Sequence, residues 1–229
     1  MRSAVDRRYR YLYKPALFLA CLLPLAWVVA ALAQAPVPTL GADPVRRMLG
    51  IFGHSALNLL LLTLSVTPLR QITGNAGLLR LRRMLGVWVF AYALLHFLTY
   101  VGPFQGFSGS AIAKDLVKRP YITLGFTALL MLLPLAATST NAMMRRLKRR
   151  WQSLHRLIYP IAILGVWHYW WQVKKDIREP LIYAALLALL LGWRLWRRWQ
   201  GRRAPDAAPR PAAAPPTSTS ALPRAPETA

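Results

Sequence analysis

The chain lacks most of what cysteine and nucleotide chemistry requires. It has one cysteine and seven acidic residues in 229 positions. A single cysteine excludes a disulfide framework within the chain and any Cys-x-x-Cys pair. Cys21, inside the first apolar run, reads as a small packing residue. No Gly-rich dinucleotide fingerprint follows a strand, and no phosphate-binding loop occurs. Any reducing equivalents this chain handles therefore come from a separate donor.

What it has in abundance is apolar sequence in long blocks. The hydrophobic share is 55%, and sections almost free of charge run over 15–35, 51–67, 86–101, 121–138, 157–171 and 180–193. Each is near the length that crosses a hydrocarbon core at about 1.5 Å per residue. A soluble helical protein would need polar faces that these runs do not have. The runs at 51–67, 86–101 and 157–171 are the shortest, so they borrow a turn from their flanks or lie inside the bundle. They show no barrel-type alternation, and only helices or closed barrels satisfy the backbone in lipid. The expected fold is an all-α integral membrane protein with a six-helix transmembrane bundle. The longest outer connection, 102–119, has Pro103, three glycines and Lys114-Asp115, which predicts a loop with a surface-lying turn.

A net charge of +23 invites a nucleic-acid reading, but the placement of the basic residues explains it better. The N-terminus and every second connection together hold 22 of the 30 basic residues, and the alternate connections hold eight. The positive-inside bias puts both termini in the cytoplasm, next to anionic lipid headgroups, with no nucleic acid needed. The basic start, the apolar run and Ala31-Leu32-Ala33 also resemble a signal peptide. The run is long for that role, so an uncleaved first span is expected. The predicted organisation is a basic cytoplasmic N-terminus over 1–14, a transmembrane domain over 15–199 and a disordered cytoplasmic tail over 200–229. The tail is rich in Ala, Pro, Ser and Thr.

Ionisable groups within a membrane are costly, which directs attention to the four histidines, His54, His96, His155 and His168. His96 and His168 fall on different helices at matching depth near the outer side. Two imidazoles facing across a porphyrin give an iron with no open position, suited to electron transfer. Phe97, Tyr100, Trp167 and Tyr169 offer aromatic surface for a flat macrocycle. The plain alternative is that such histidines meet water or headgroups, with the tryptophans as an interfacial belt. His155 and His168 are thirteen residues apart, a span of about 20 Å with about 140° between them on an ideal helix. Pro160 lies between and is able to rotate the segment. His54 follows Gly53 at the expected start of the second helix and has no partner at an obvious register.

Three segments carry a family likeness: Arg82-Arg83-Met84-Leu85-Gly86 leading into Leu95-His96, Arg119-Pro120-Tyr121-Ile122-Thr123-Leu124-Gly125, and Arg150-Trp151-Gln152-Ser153-Leu154-His155-Arg156-Leu157-Ile158-Tyr159. Together they resemble the MsrQ (YedZ) family over roughly residues 10–195. The resemblance implies a ferric-reductase-like transmembrane domain in a bacterial inner membrane, carrying one or two b-type haems. It implies electron transfer from the quinone pool or a cytoplasmic flavin reductase to MsrP, a periplasmic molybdopterin reductase that forms a heterodimer with it. That enzyme reduces methionine sulfoxide in oxidised envelope proteins. The family's haem-binding histidines carry over as His96, His155 and His168. FMN is also associated with the family, and no residue here places it. The basic residues Arg80, Arg82, Arg83 and Arg145 to Arg150 are candidates to attract a flavin phosphate.

The wider ferric-reductase and NADPH-oxidase group has a second histidine about fourteen positions before the outer one on the third helix, where this chain has Arg82. By that likeness His155 serves with another ligand or with none. The same group fuses a flavin and nicotinamide domain after the last helix. This chain has a short tail there, so a relay within a two-component system is expected. The competing readings are a ferric or other metal reductase with the same haem, and a cofactor-free scaffold or transporter whose histidines handle protons.

Overall fold

Apolar runs become helices here because lipid supplies no hydrogen-bond partners to the backbone, and the helix ends fall where a side chain or a glycine satisfies the terminal groups. The computed structural model describes residues 8–33, 40–173 and 176–203. Helix α1 is Lys14–Ala33, entered from a short π-turn at Tyr9–Tyr13. Helix α2 is Pro44–Thr73, α3 is Leu79–Thr99, and α4 is the short Gly109–Lys118. Helix α5 is Pro120–Ala137, α6 is Asn141–Leu147, and α7 is Arg149–Leu154. Helix α8 is Ile158–Gln172 and α9 is Arg178–Arg203. No strand occurs among the described residues.

Five of these segments are long and apolar enough to cross a membrane, containing α1, α2, α3, α5 and α9. Helix α8, at 15 residues, is shorter, although α7 and a 3-10 turn at His155–Leu157 lead directly into it. The outward surfaces of α1 and α9 expose Leu19, Leu23, Val29, Leu181, Ile182 and Leu189, a dress that suits lipid and not water.

The run at 51–67 does borrow from its flanks. Asp43 caps α2 by accepting the Arg46 amide at 3.0 Å, and Pro44 fills the first turn, where its missing N–H costs nothing. The helix ends at Gly74, whose φ of 69° is open to glycine without strain. His54 consequently lies three turns into α2 and not at its start, because the Asp43-Pro44 cap, not the onset of the apolar run, sets the beginning. The connection over 102–119 also differs from expectation. Its surface-lying part is a ten-residue helix, α4, capped by Ser108. Its buried Asp115 accepts from Tyr100 at 3.0 Å and Gln105 at 2.6 Å, and pairs with Arg119 at 3.2 Å.

Two hairpins form the centre: α2 packs closely along α3, and α5 along α8. Between them Leu57, Leu60 and Leu64 of α2, Val89 of α3, Ala128 and Leu132 of α5, and Ile161 and Val166 of α8 make one buried core, joined by Leu187 of α9. Helix α1 joins through Cys21, which is buried against Val66 and Leu85 as a packing residue. The fully buried Tyr92 of α3 reaches into α1 where Pro24 interrupts the backbone ladder. Its hydroxyl donates to the Cys21 carbonyl and accepts from the Leu25 amide at 3.3 Å.

The chain divides into a unit up to Arg194 and a second from Leu195 onward. Within the second, residues 195–203 continue as helix. The remainder of the expected tail, 204–229, lies outside the described residues, as do residues 1–7 of the basic N-terminus.

Candidate functional site

The structure brings His96 and His168 together. They project from α3 and α8, one helix from each central hairpin, with ring centroids 6.2 Å apart and planes at 84°. A metal–imidazole bond is about 2 Å, and the ring centre lies roughly 1 Å beyond the bonded nitrogen. Two imidazoles on opposite sides of one metal atom therefore have centroids about 6 Å apart, which is the spacing found.

The orientation of each ring is fixed from behind by a neighbouring backbone. Nδ1 of His96 donates to the Leu49 carbonyl at 2.9 Å, and Nδ1 of His168 donates to the Tyr121 carbonyl at 2.6 Å. A carbonyl only accepts, so each neutral ring carries its proton on Nδ1 and keeps the lone pair on Nε2, the state required of a metal ligand. Each ring also lies close against a glycine of the facing helix, nearest through its Nδ1 and Cε1 atoms. A Cβ at Gly53 would stand 3.1 Å from Nδ1 of His96, and one at Gly125 would stand 2.8 Å from Nδ1 of His168. Tyr121 adds its ring at 6.0 Å from the His168 centroid. No group of three or more His, Cys, Asp or Glu able to hold a bare metal ion occurs among the described residues. The arrangement thus suits a metal whose other positions are filled by a macrocycle, and it fits haem.

The other two histidines stand apart. His155 follows α7 at the far end of α8, its ring stacked on Trp151 at 3.9 Å and its Nδ1 donating to the Trp151 carbonyl at 3.0 Å. Its Nε2 is buried and has no hydrogen-bond partner, an orphaned acceptor of the kind that a ligand would satisfy. The remaining imidazole, His54, is at the opposite end. It does have partners: Nδ1 donates to the Gly50 carbonyl at 2.7 Å, Nε2 meets the Tyr169 hydroxyl at 3.1 Å, and Glu179 lies 3.7 Å away. Tyr169 donates to Glu179 at 2.6 Å. This network ties α2, α8 and α9 together beside the histidine pair.

Of the aromatic residues expected to line a macrocycle, Tyr169 belongs to that network and Tyr100 is held by Asp115. Trp167 is exposed and pairs with Trp171, and Phe97 packs on Phe126. Gly53, and Tyr121 and Gly125 within a family segment, were visible in the sequence, but neither they nor Leu49 showed there as supports of the two histidines. The signal was present as a spacing: 43 residues separate glycine from histidine in both hairpins, and 47 separate the accepting carbonyl from the histidine.

Residues 49–166 match the family described as ferric reductase like transmembrane component, a span that includes His96 and His155 and stops two residues before His168. A protein of Xanthomonas campestris pv. campestris is 53% identical over 205 residues, covering 87% of this chain and 94% of its own. One of Xanthomonas axonopodis pv. citri is 51% identical over 188 residues, 80% of this chain and 86% of that one. One of Ralstonia nicotianae is 51% identical over 166 residues, 71% and 76% respectively. All three are named protein-methionine-sulfoxide reductase heme-binding subunit MsrQ. No solved structure matches the chain.

Proposed function

Because this chain belongs to the MsrQ family, within the ferric-reductase-like transmembrane components, we propose that it is the haem-bearing membrane subunit of a methionine-sulfoxide reductase system. The observation that carries the reading is the His96–His168 pair, with ring centroids 6.2 Å apart and both Nδ1 protons committed to backbone carbonyls. His96 and His168 are the residues that would hold a b-type haem. His155, with its unpartnered Nε2, is the ligand candidate near the other membrane face, about 20 Å away along the helix. When bound, haem would supply one-electron redox chemistry.

The chain itself makes and breaks no covalent bond. Its carbonyls at Leu49 and Tyr121 keep the two imidazoles in the coordinating tautomer, and its core below them, from Leu57 to Ile161, keeps the surround dry. It crosses the bacterial inner membrane six times, with α8 added to the five longer spans and both termini in the cytoplasm, a reading supported by the distribution of basic residues. A reduced quinone or a cytoplasmic flavin reductase is the donor. The basic inner connections are candidates to attract the phosphate of an FMN. The acceptor is the periplasmic molybdopterin subunit MsrP, which repairs oxidised methionine in envelope proteins.

The test is electron delivery. Chemically reduced full-length protein is mixed with the MsrP-type partner and oxidised methionine, or with ferric chelate alone. Reoxidation that requires both partner and sulfoxide is expected. Equally fast reoxidation by the chelate alone would replace this reading with a metal reductase.

A further inference from the structure

The two central hairpins repeat each other at a constant offset. Gly53, Ala56, Leu57, Leu60 and Leu61 of α2 recur as Gly125, Ala128, Leu129, Leu132 and Leu133 of α5, Leu85 of α3 recurs as Leu157, and His96 of α3 recurs as His168 of α8. Every pair is 72 residues apart. Burial follows the same shift at five pairs, Leu57 and Leu129, Leu60 and Leu132, Thr63 and Leu135, Val66 and Thr138, and Val89 and Ile161, while Leu61 is buried and its counterpart Leu133 is exposed. So do the contacts behind the imidazoles, with Leu49 and Tyr121 as acceptors four residues before each glycine. Chance resemblance of two apolar helices would match leucines, but it would not reproduce a glycine, a carbonyl acceptor and a histidine at one spacing.

We propose that α2–α3 and α5–α8 are two copies of one hairpin, and that Gly53 and Gly125 are positioning residues that hold His96 and His168 with crossed planes on a single iron. This deepens the haem reading above and rests on it. The mechanism is steric. With no Cβ at either glycine, each ring settles against the opposite helix close enough for Nδ1 to reach a main-chain carbonyl. Two such rings, one from each copy, meet at 84°. The repeat breaks at the other end of the hairpins, where Arg83 stands 72 residues before His155. Its guanidinium donates to Asn141. The duplication therefore builds one two-imidazole site and not two.

Crossed axial imidazole planes leave the iron d orbitals nearly degenerate. The oxidised, full-length protein should then give a single, strongly anisotropic low-spin line at low field in electron paramagnetic resonance, not the three resolved lines of coplanar imidazoles. Gly125→Ala, whose added carbon has the closer contact, should abolish that line in haem-loaded protein and shift the midpoint potential. Gly53→Ala should do the same to a smaller extent. Gly86→Ala, with open space around the added carbon, should change neither. Should Gly125→Ala fail to accumulate, the wild-type spectrum and Gly53→Ala decide. A three-line spectrum from wild type, or glycine variants indistinguishable from Gly86→Ala, would overturn the proposal while leaving haem ligation intact. A protein that binds no haem, or binds it without His96, would sink the underlying reading as well.

Discussion

The hydroxyl of Tyr92 offers a sharp test of how α1 is held, because the only thiol in the chain sits in the same turn. Tyr92→Phe removes one oxygen from a fully buried ring and with it the bonds to the Cys21 carbonyl and the Leu25 amide. Interhelical hydrogen bonds within membranes average about 0.6 kcal/mol and reach about 1.7. The upper part of that range applies here, since Pro24 has already deprived this turn of one donor. A loss of about 1 to 1.7 kcal/mol corresponds to a 5- to 15-fold rise in the population of the opened helix, at roughly 1.4 kcal/mol per tenfold. Cys21 is buried in the closed state, so its alkylation in detergent-solubilised protein, followed by intact mass, reports that population when opening is fast relative to labelling. The labelling rate should rise by the same 5- to 15-fold, while Thr73→Ala, which removes an exposed hydroxyl bonded within its own helix, should leave it unchanged. An unaltered rate in Tyr92→Phe, or an equal rise in both variants, would refute this account of the α1 contact.

Three further outcomes are expected. Asp115→Ala leaves Tyr100 and Gln105 without their buried acceptor and frees Arg119, so thermal unfolding should show a loss of about 2–3 kcal/mol; a change below about 0.5 kcal/mol would mean that the 102–119 connection is not held by this carboxylate. His54→Ala should keep the low-spin haem spectrum, because His54 bonds to Gly50 and Tyr169 and not to the histidine pair; loss of that spectrum would place it in the ligand set. A periplasm-active reporter inserted after Gly106 should be active and a cytoplasm-active one at the C-terminus should fluoresce, and the reverse pattern would invert the topology.

The helices were legible because lipid demands uniformly apolar faces, and uniform runs need no periodicity to be seen. Their ends were legible less often. The start of α2 depends on Asp43 and Pro44, seven residues before the apolar run begins, and this displaced His54 from the helix start to the third turn. Helix α4 was hidden by its brevity and its mixed composition, since its stability comes from Asp115 binding back to Tyr100 and Gln105 and not from hydrophobic length. The closeness of His96 and His168 was expected from their matching depth on different helices together with the family likeness. The glycines behind them did not, because a glycine in an apolar helix shows its purpose only when the facing side chain is known. His155 was visible as a titratable group at a helix end, yet its stacking on Trp151 and its unpartnered Nε2 required the fold.

The central claim is that His96 and His168 both bind the same haem iron. Near-infrared magnetic circular dichroism of the oxidised, full-length protein reads the axial ligands directly, and the account predicts the band of two imidazoles in wild type, lost in His96→Ala and in His168→Ala alike. A band of any other ligand pair, or one that survives either substitution, would contradict it.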